Sequence, residues 1–278
     1  MLLFYMDKEN YLISLFKNNF IGDDGAVLGE WVYSKDLFCE DIHFKKEWIS
    51  LKEIAKKAML VNISDAIVMN AYPKYALLGL KLPSSFTTKQ MEKLSSGFLE
   101  VAKEYGITII GGDTVSGDKI DISITLISHT KKPIYRKGLE IGDLLVFTGK
   151  LGCVKKDLEK LLKGESVDHD SRFITPVLRG DFFYEASPFI KVAMDISDGL
   201  SKDISRLSKI NSVGFEFLVN LDKYELCSGE EYEIVFGCSK ENFDKIEKIA
   251  KKHDVPLTVF AEVVSGRYKN ICGENHFG

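Results

Sequence analysis

The chain has no G-x-x-x-x-G-K-[ST] phosphate loop, and no G-x-G-x-x-G opens a helix after a strand. If it handles a nucleotide, the phosphates must be held mainly through metals bound to carboxylates. It has only 5 cysteines, Cys39, Cys153, Cys227, Cys238 and Cys272, and no Cys-x-x-Cys. That odd, scattered set argues against a zinc site and for a reducing compartment, with the cysteines as small core or surface residues. No apolar run is long enough to span a bilayer. The opening Met1-Leu2-Leu3-Phe4-Tyr5-Met6-Asp7 is too short for a signal peptide and lacks its basic start. A cytoplasmic protein is expected. Neither sign of charge dominates: a net charge of -4 points to no nucleic acid and no anionic membrane as main partner. Tandem repeats, low-complexity tracts and long charge blocks are absent too.

What remains is ordinary in composition and specific in pattern. Hydrophobic residues are 45% and charged residues 28% of 278, as in a soluble globular protein of one large domain or two ordinary ones. Apolar periodicity predicts helices near 7–20, 51–61, 87–105, 154–162, 201–211 and 241–253. Strands are expected near 31–38, 75–82, 119–128, 144–148, 215–219, 232–236 and 257–264. Lys131-Lys132-Pro133 reads as a linker, which gives an N-terminal domain over 1–133 and a C-terminal domain over 134–278. Both halves mix strands with helices, so a two-lobed α/β and α+β architecture is expected.

The chemistry sits in acidic turns. Val192-Ala193-Met194-Asp195-Ile196-Ser197-Asp198-Gly199-Leu200 reads as a strand running into a helix, with two carboxylates three residues apart. Such a pair can hold a hard cation, and Mg²⁺ is usually bound by one or two carboxylates plus substrate phosphates. Capping of the following helix by Ser197 or Asp198 explains that stretch alone equally well. Similar stretches recur upstream at Gly22-Asp23-Asp24-Gly25, at Asp36, at Asn62-Ile63-Ser64-Asp65 and at Gly111-Gly112-Asp113-Thr114. Each is explained singly by a turn or a cap; a carboxylate cage for several Mg²⁺ explains them together.

The order and wording of these segments resemble the thiamine-monophosphate kinases of the aminoimidazole-ribonucleotide-synthetase-like superfamily. The resemblance also rests on His43-Phe44, on Arg136 with Gly142-Asp143, on Gly229-Glu230-Glu231-Tyr232-Glu233, and on the tail 273–277. It implies ATP-dependent phosphorylation of thiamine monophosphate to thiamine diphosphate. By position, Asp24, Ser34, Asp36, Asp65, Asp113, Asp195 and Asp198 would bind Mg²⁺, with Asp113, Asp195 and Asp198 closest to the reaction. Gly112, Asp113, Arg136 and Ser197 would lie against the nucleotide, and His43 and Glu230 in the thiamine-phosphate pocket. A homodimer is implied, with the N-terminal sheets of two subunits pairing into a barrel.

The chain departs from the family pattern at Glu231, usually Asp, at Lys35, usually a small hydroxyl residue, and at Glu274, usually aromatic; the segment 219–228 is short. Two other readings are open at this point. One is another ATP-dependent enzyme of the superfamily; the selenide branch is disfavoured because residues 1–20 contain no Cys. The other is a non-catalytic nucleotide-binding protein.

Overall fold

A computed structural model describes residues 8–16 and 18–273. Two strands of the first sheet alternate buried with more exposed residues, which turns one of its faces to the core. Its strands are β1 (Ala26–Leu28), β2 (Trp31–Cys39), β3 (Tyr72–Pro83), β4 (Thr108–Gly117) and β5 (Asp121–His129), in the order β1-β2-β5-β3-β4. Only β3 and β4 run parallel. Val32, Ser34 and Phe38 of β2 and Ile122, Ile124, Leu126 and Ser128 of β5 point inward and are buried. Outside the strands, α1 (Lys8–Ser14) is a single short helix rather than the segment expected over 7–20.

α2 (Leu51–Val68) and α3 (Thr88–Tyr105) cover the inward face. Capping boxes start both, Ser50 with Glu53 and Thr87 with Gln90. The periodicity predicts that the first of these helices ends near 61, but α2 continues to Val68, so Asp65 lies inside a helix rather than at its end. The reason is packing. α2 buries 13 of its 18 residues, because it also contacts the second half of the chain, and a helix buried all round shows no amphipathic edge to read. The Gly-Gly-Asp-Thr stretch likewise forms no turn: β4 continues through it beside β3, with one extra residue, Ile110, in the register just before the glycines. Gly112 is required there, since a Cβ would stand 1.8 Å from the Leu78 carbonyl oxygen.

The second sheet is antiparallel, in the order β7-β9-β6-β10-β8, from β6 (Leu144–Thr148), β7 (Val192–Asp195), β8 (Gly214–Phe217), β9 (Ile234–Cys238) and β10 (Leu257–Val264). Five helices accompany it: α4 (Cys153–Leu162), α5 (Gly180–Ala186), α6 (Leu200–Asn211), α7 (Lys223–Cys227) and α8 (Lys240–Lys252). α2 touches both β7 and α5. One apolar core therefore joins Phe38, Met59 and Ile63 to Phe182, Phe183 and Phe236. A second core, with Met194, Leu200, Ile204 and Phe260, lies between this sheet and α6. Among the described residues no helix is long and apolar enough to cross a membrane.

Two cysteines depart from expectation. Cys227 and Cys272, 45 residues apart, form a disulfide with a Cα–Cα distance of 5.6 Å. The spacing conceals it because the pairing is made by a long return of the chain. After β10 the backbone follows α6, donating from Tyr268 to Ser208 Oγ (2.8 Å) and from Ile271 to Ser201 Oγ (3.0 Å), and so reaches α7. Glu274 and the rest of the tail lie outside the described residues.

Candidate active site

Four aspartates are delivered to one place by four different elements. The loop before β1 carries Asp24, the inward face of β2 carries Asp36, α2 carries Asp65, and β7 ends on Asp195. Oxygens of Asp24, Asp65 and Asp195 lie within 4.8 Å of one another. Asp36 is close enough to Asp24 and Asp65 to raise the charge cost of ionising them together. One cation answers this group directly: Arg136 grips Asp24 through Nε at 3.1 Å and Nη2 at 2.5 Å. Its backbone N–H also donates to Asp23 at 2.7 Å. The Ser64 hydroxyl donates to Asp195 at 2.7 Å.

The electrostatic result is a site that resists ionisation. Burial, then the Asp24 charge, pushes Asp36 up to about 6. Burial, then Asp24 and Asp36, pushes Asp195 up to about 7 despite the Ser64 hydrogen bond. Asp65 is raised well above the usual carboxylate range by burial and then by Asp36, Asp195 and Asp24. Oxygen-only donors that repel one another suit a hard divalent cation, which removes both penalties at once. The buried Ser34 hydroxyl, on the same face of β2 as Asp36, has no hydrogen-bond partner among the described residues, which fits a further oxygen donor.

The other expected residues are distributed less simply. Asp198 is held by two protein cations, Lys202 Nζ at 3.3 Å and Arg206 Nη2 at 2.5 Å, and its N–H donates to Asp203 at 3.2 Å. Ser197 offers its carbonyl to the Glu230 N–H at 2.7 Å, which fixes the loop 228–233 beside the β7–α6 turn. Asp113 is not brought to the cluster within this chain. Its register neighbours run Gly79, Ser123, Leu37, and Leu37 is 60% exposed on the outward face, opposite Asp36. Gly112 is exposed beside it.

His43 and Glu230 are both tied to Phe38, the first directly and the second through Lys57. The His43 ring packs on Phe38 with centroids 5.4 Å apart, and its Nδ1 accepts from the Cys39 N–H at 3.0 Å, so Nε2 carries any neutral-ring proton. Glu230 Oε2 lies 2.6 Å from Lys57 Nζ, and that ammonium stands over the Phe173 ring at 4.2 Å and the Phe38 ring at 5.6 Å.

With this geometry in view, comparison with known proteins is direct. The model of the AIR synthase related protein N-terminal domain matches residues 22–129. A thiamine-monophosphate kinase of Haemophilus influenzae is 31% identical, over 91% of this chain and 84% of its own length. The chain belongs to the thiamine-monophosphate kinase family. A second thiamine-monophosphate kinase, from Bacillus subtilis, is 29% identical over 86% of this chain and 83% of its own length. The solved structure described as AaThiL complexed with AMPPCP and TMP superposes with a TM-score of 0.84 at 26% identity, covering 96% of this chain and 95% of that one. The two-lobed aminoimidazole-ribonucleotide-synthetase-like fold is thus the observed one.

Within this kinase family site, sequence reasoning missed Lys57, Lys202 and Arg206. Lys57 had a readable signal: it follows Ile54 by three and precedes Val61 by four, on an apolar stripe of α2. Lys202 and Arg206 lie four and eight residues after Asp198, on the helical face that looks back at it.

Proposed function

We propose that this protein transfers the terminal phosphoryl group of ATP to the phosphate of thiamine monophosphate, giving thiamine diphosphate by direct in-line displacement. The observation that carries the reading is the convergence of Asp24, Asp65 and Asp195 from three distant segments. Family membership supports it, as does the likeness to a structure described with AMPPCP and TMP. Asp24, Asp36, Asp65 and Asp195, with Ser34, would hold several Mg²⁺ ions, which when bound neutralise and align the phosphates. An acceptor phosphate with a second pKa near about 6 is mostly dianionic at neutral pH, so the chain needs little general-base help. The residues must instead offset repulsion between two polyanions. Arg136 holds Asp24 in place through two hydrogen bonds, and the loop carrying Glu230, tied to Ser197, carries acceptor recognition to the same turn.

The outward face of the first sheet exposes Tyr33, Leu37, Tyr75, Leu77, Ile110 and Val115. In our reading a second copy covers it in a homodimer, and Gly112 and Asp113 serve the partner's cluster rather than their own. The test of the activity is incubation with ATP, Mg²⁺ and thiamine monophosphate, with thiamine diphosphate followed by chromatography. Wild-type product and its loss in Asp195→Asn are expected; Mg²⁺-dependent ATP binding without product would contradict the reaction while leaving the nucleotide site standing.

A further inference from the structure

Lys57 sits in the middle of α2 at 0% exposure. An ammonium there must give up its hydration, and a linear apolar side chain would fill the same helix position more cheaply. Its surroundings explain what the charge does. The rings of Phe173 (4.2 Å) and Phe38 (5.6 Å) fix the ammonium from two sides, each presenting a negative π face. Among the described residues the carboxylate it meets is Glu230, at 2.6 Å through Oε2. Glu230 is held from its backbone as well. Its φ is 57° and that of Tyr232 is 51°, left-handed values that non-glycine residues adopt only when neighbouring contacts impose them. Those contacts are N–H donations from Glu230 to the Ser197 carbonyl (2.7 Å) and from Tyr232 to the Ile196 carbonyl (3.0 Å).

The pair is asymmetric. Lys57 is sealed, whereas the Glu230 side chain is 23% exposed. With Oε2 committed to Lys57, Oε1 is the oxygen left to face a ligand, and it accepts no hydrogen bond from the described residues. Through the Lys57 ammonium, Phe38 links this carboxylate to His43, whose ring packs on the same aromatic. A ligand between Glu230 and His43 would meet an oriented acceptor on one side and an imidazole on the other.

We propose that Lys57 is a positioning residue for acceptor recognition: from inside the core it sets which oxygen of Glu230 faces out, so that an N–H-bearing or cationic ring is bound there, and it touches neither substrate. The inference rests on the kinase reading. It deepens that reading by assigning Glu230 to the acceptor's organic part rather than to its phosphate.

The test uses the full-length protein and four forms: wild type, Lys57→Met, Lys57→Arg and Glu230→Gln, with the Lys57→Met/Glu230→Gln double variant to close the cycle. Calorimetric titration reads thiamine monophosphate and a non-hydrolysable ATP analogue separately, and steady-state assays split KM from kcat. Lys57→Met is expected to weaken thiamine monophosphate binding and raise its KM by about 10- to 100-fold, the scale of a hydrogen bond to a charged group. The nucleotide affinity and kcat should change by less than about threefold, and Lys57→Arg should recover much of the loss. Because the two residues act as a unit, the double variant should be no worse than Glu230→Gln alone. Additive losses would overturn the inference, as would a parallel fall in nucleotide affinity, kcat and acceptor binding, which is the pattern of a merely structural lysine. If Lys57→Met does not fold, Lys57→Arg against Glu230→Gln decides: an unchanged acceptor affinity in both refutes it. A wild type that binds thiamine monophosphate but makes no product counts against the reaction alone, since binding still scores Lys57. A wild type that does not bind it overturns both.

Discussion

Glu231 and Glu233 are as buried as Asp195, at 0%, 0% and 2% exposure, but their surroundings answer them group for group. Glu231 accepts from the Gly152 and Val154 N–H groups at 2.8 and 3.2 Å and from the Ser228 hydroxyl at 2.5 Å, with Arg172 at 3.6 Å. Glu233 accepts from Thr148 at 2.5 Å and takes a bidentate grip from Arg179 at 3.0 and 2.8 Å, with Arg172 at 3.1 Å. The closeness is built in: a Cβ on Gly149 would stand 1.8 Å from Glu233 Oε1. Among the described residues the Asp24, Asp36, Asp65 and Asp195 group is bonded by one guanidinium, that of Arg136, and burial and mutual repulsion push three of the four up. Both are sets of carboxylates largely withdrawn from water. The satisfied set fixes the loop 228–233, and the under-compensated one is a place for added cations.

The contrast breaks first on activity. Asp195→Asn should cost at least about a thousandfold in kcat, because charge stabilisation in phosphoryl transfer is largely lost with its metal. The same change removes repulsion, so the metal-free protein should melt no lower than wild type by calorimetry. Glu233→Gln should invert that result. It leaves Arg179 and Arg172, partly buried at 20% and 15% exposure, against a neutral amide, and denaturant unfolding should show a loss of about 3–5 kcal/mol. If both variants lost stability equally, the distinction between the two sets would be wrong.

The disulfide belongs to the structural side of the comparison, since Cys227 immediately precedes Ser228. Reduction, or Cys272→Ser, should lower unfolding free energy by about 4 kcal/mol for a closed loop of this length. Binding of a nucleotide analogue should hardly change. A large loss of nucleotide affinity would mean that the tail serves the acidic cluster directly.

A smaller effect sharpens the cluster itself. Asp36 and Asp195 titrate near about 6 and about 7 in the folded chain, above the ordinary aspartate value of 3.8. Their folded carboxyls thus hold protons more tightly than the unfolded ones. The associated stability is fully present below the unfolded value and is lost as pH rises through about 6 and about 7. In a chelator, the melting temperature should therefore fall between about pH 4 and about pH 7 and level off above that. Mg²⁺ should raise it more at the higher pH, where the ligands are ionised. An equal Mg²⁺ effect at both would argue against metal binding by these groups.

The partner assignment of Asp113 can be broken by mixing subunits. If Asp113 serves the other chain, Asp113→Asn and Asp195→Asn subunits should regain activity when combined, because one of the two shared sites is then intact. If Asp113 acts within its own chain, no mixture recovers.

The acidic segments were legible because aspartate beside glycine or at a strand end stands out against an apolar background. Asp24, Asp36, Asp65 and Asp195 were named from such local wording, although α2 holds Asp65 mid-helix and β4 holds Asp113 mid-strand. Face was not legible. Strand parity places Asp36 inward and Leu37 outward, but which face Asp113 shares depends on the β3–β4 register and two unusual glycines, which sequence does not set. Lys57 was legible only through helical phase, which separates it from its neighbour Lys56, paired with Glu100 at the surface. The Cys227–Cys272 pair depended on a chain return made after β10, which no local spacing encodes.

The central claim is that Asp24, Asp65 and Asp195 form the metal site. The most direct test is anomalous scattering from Mn²⁺ in crystals grown with a non-hydrolysable ATP analogue. The account predicts Mn²⁺ peaks bound by these three carboxylates and in contact with the analogue's phosphates. An occupied nucleotide site with no peak among them, or a Mn²⁺ held elsewhere, would contradict it.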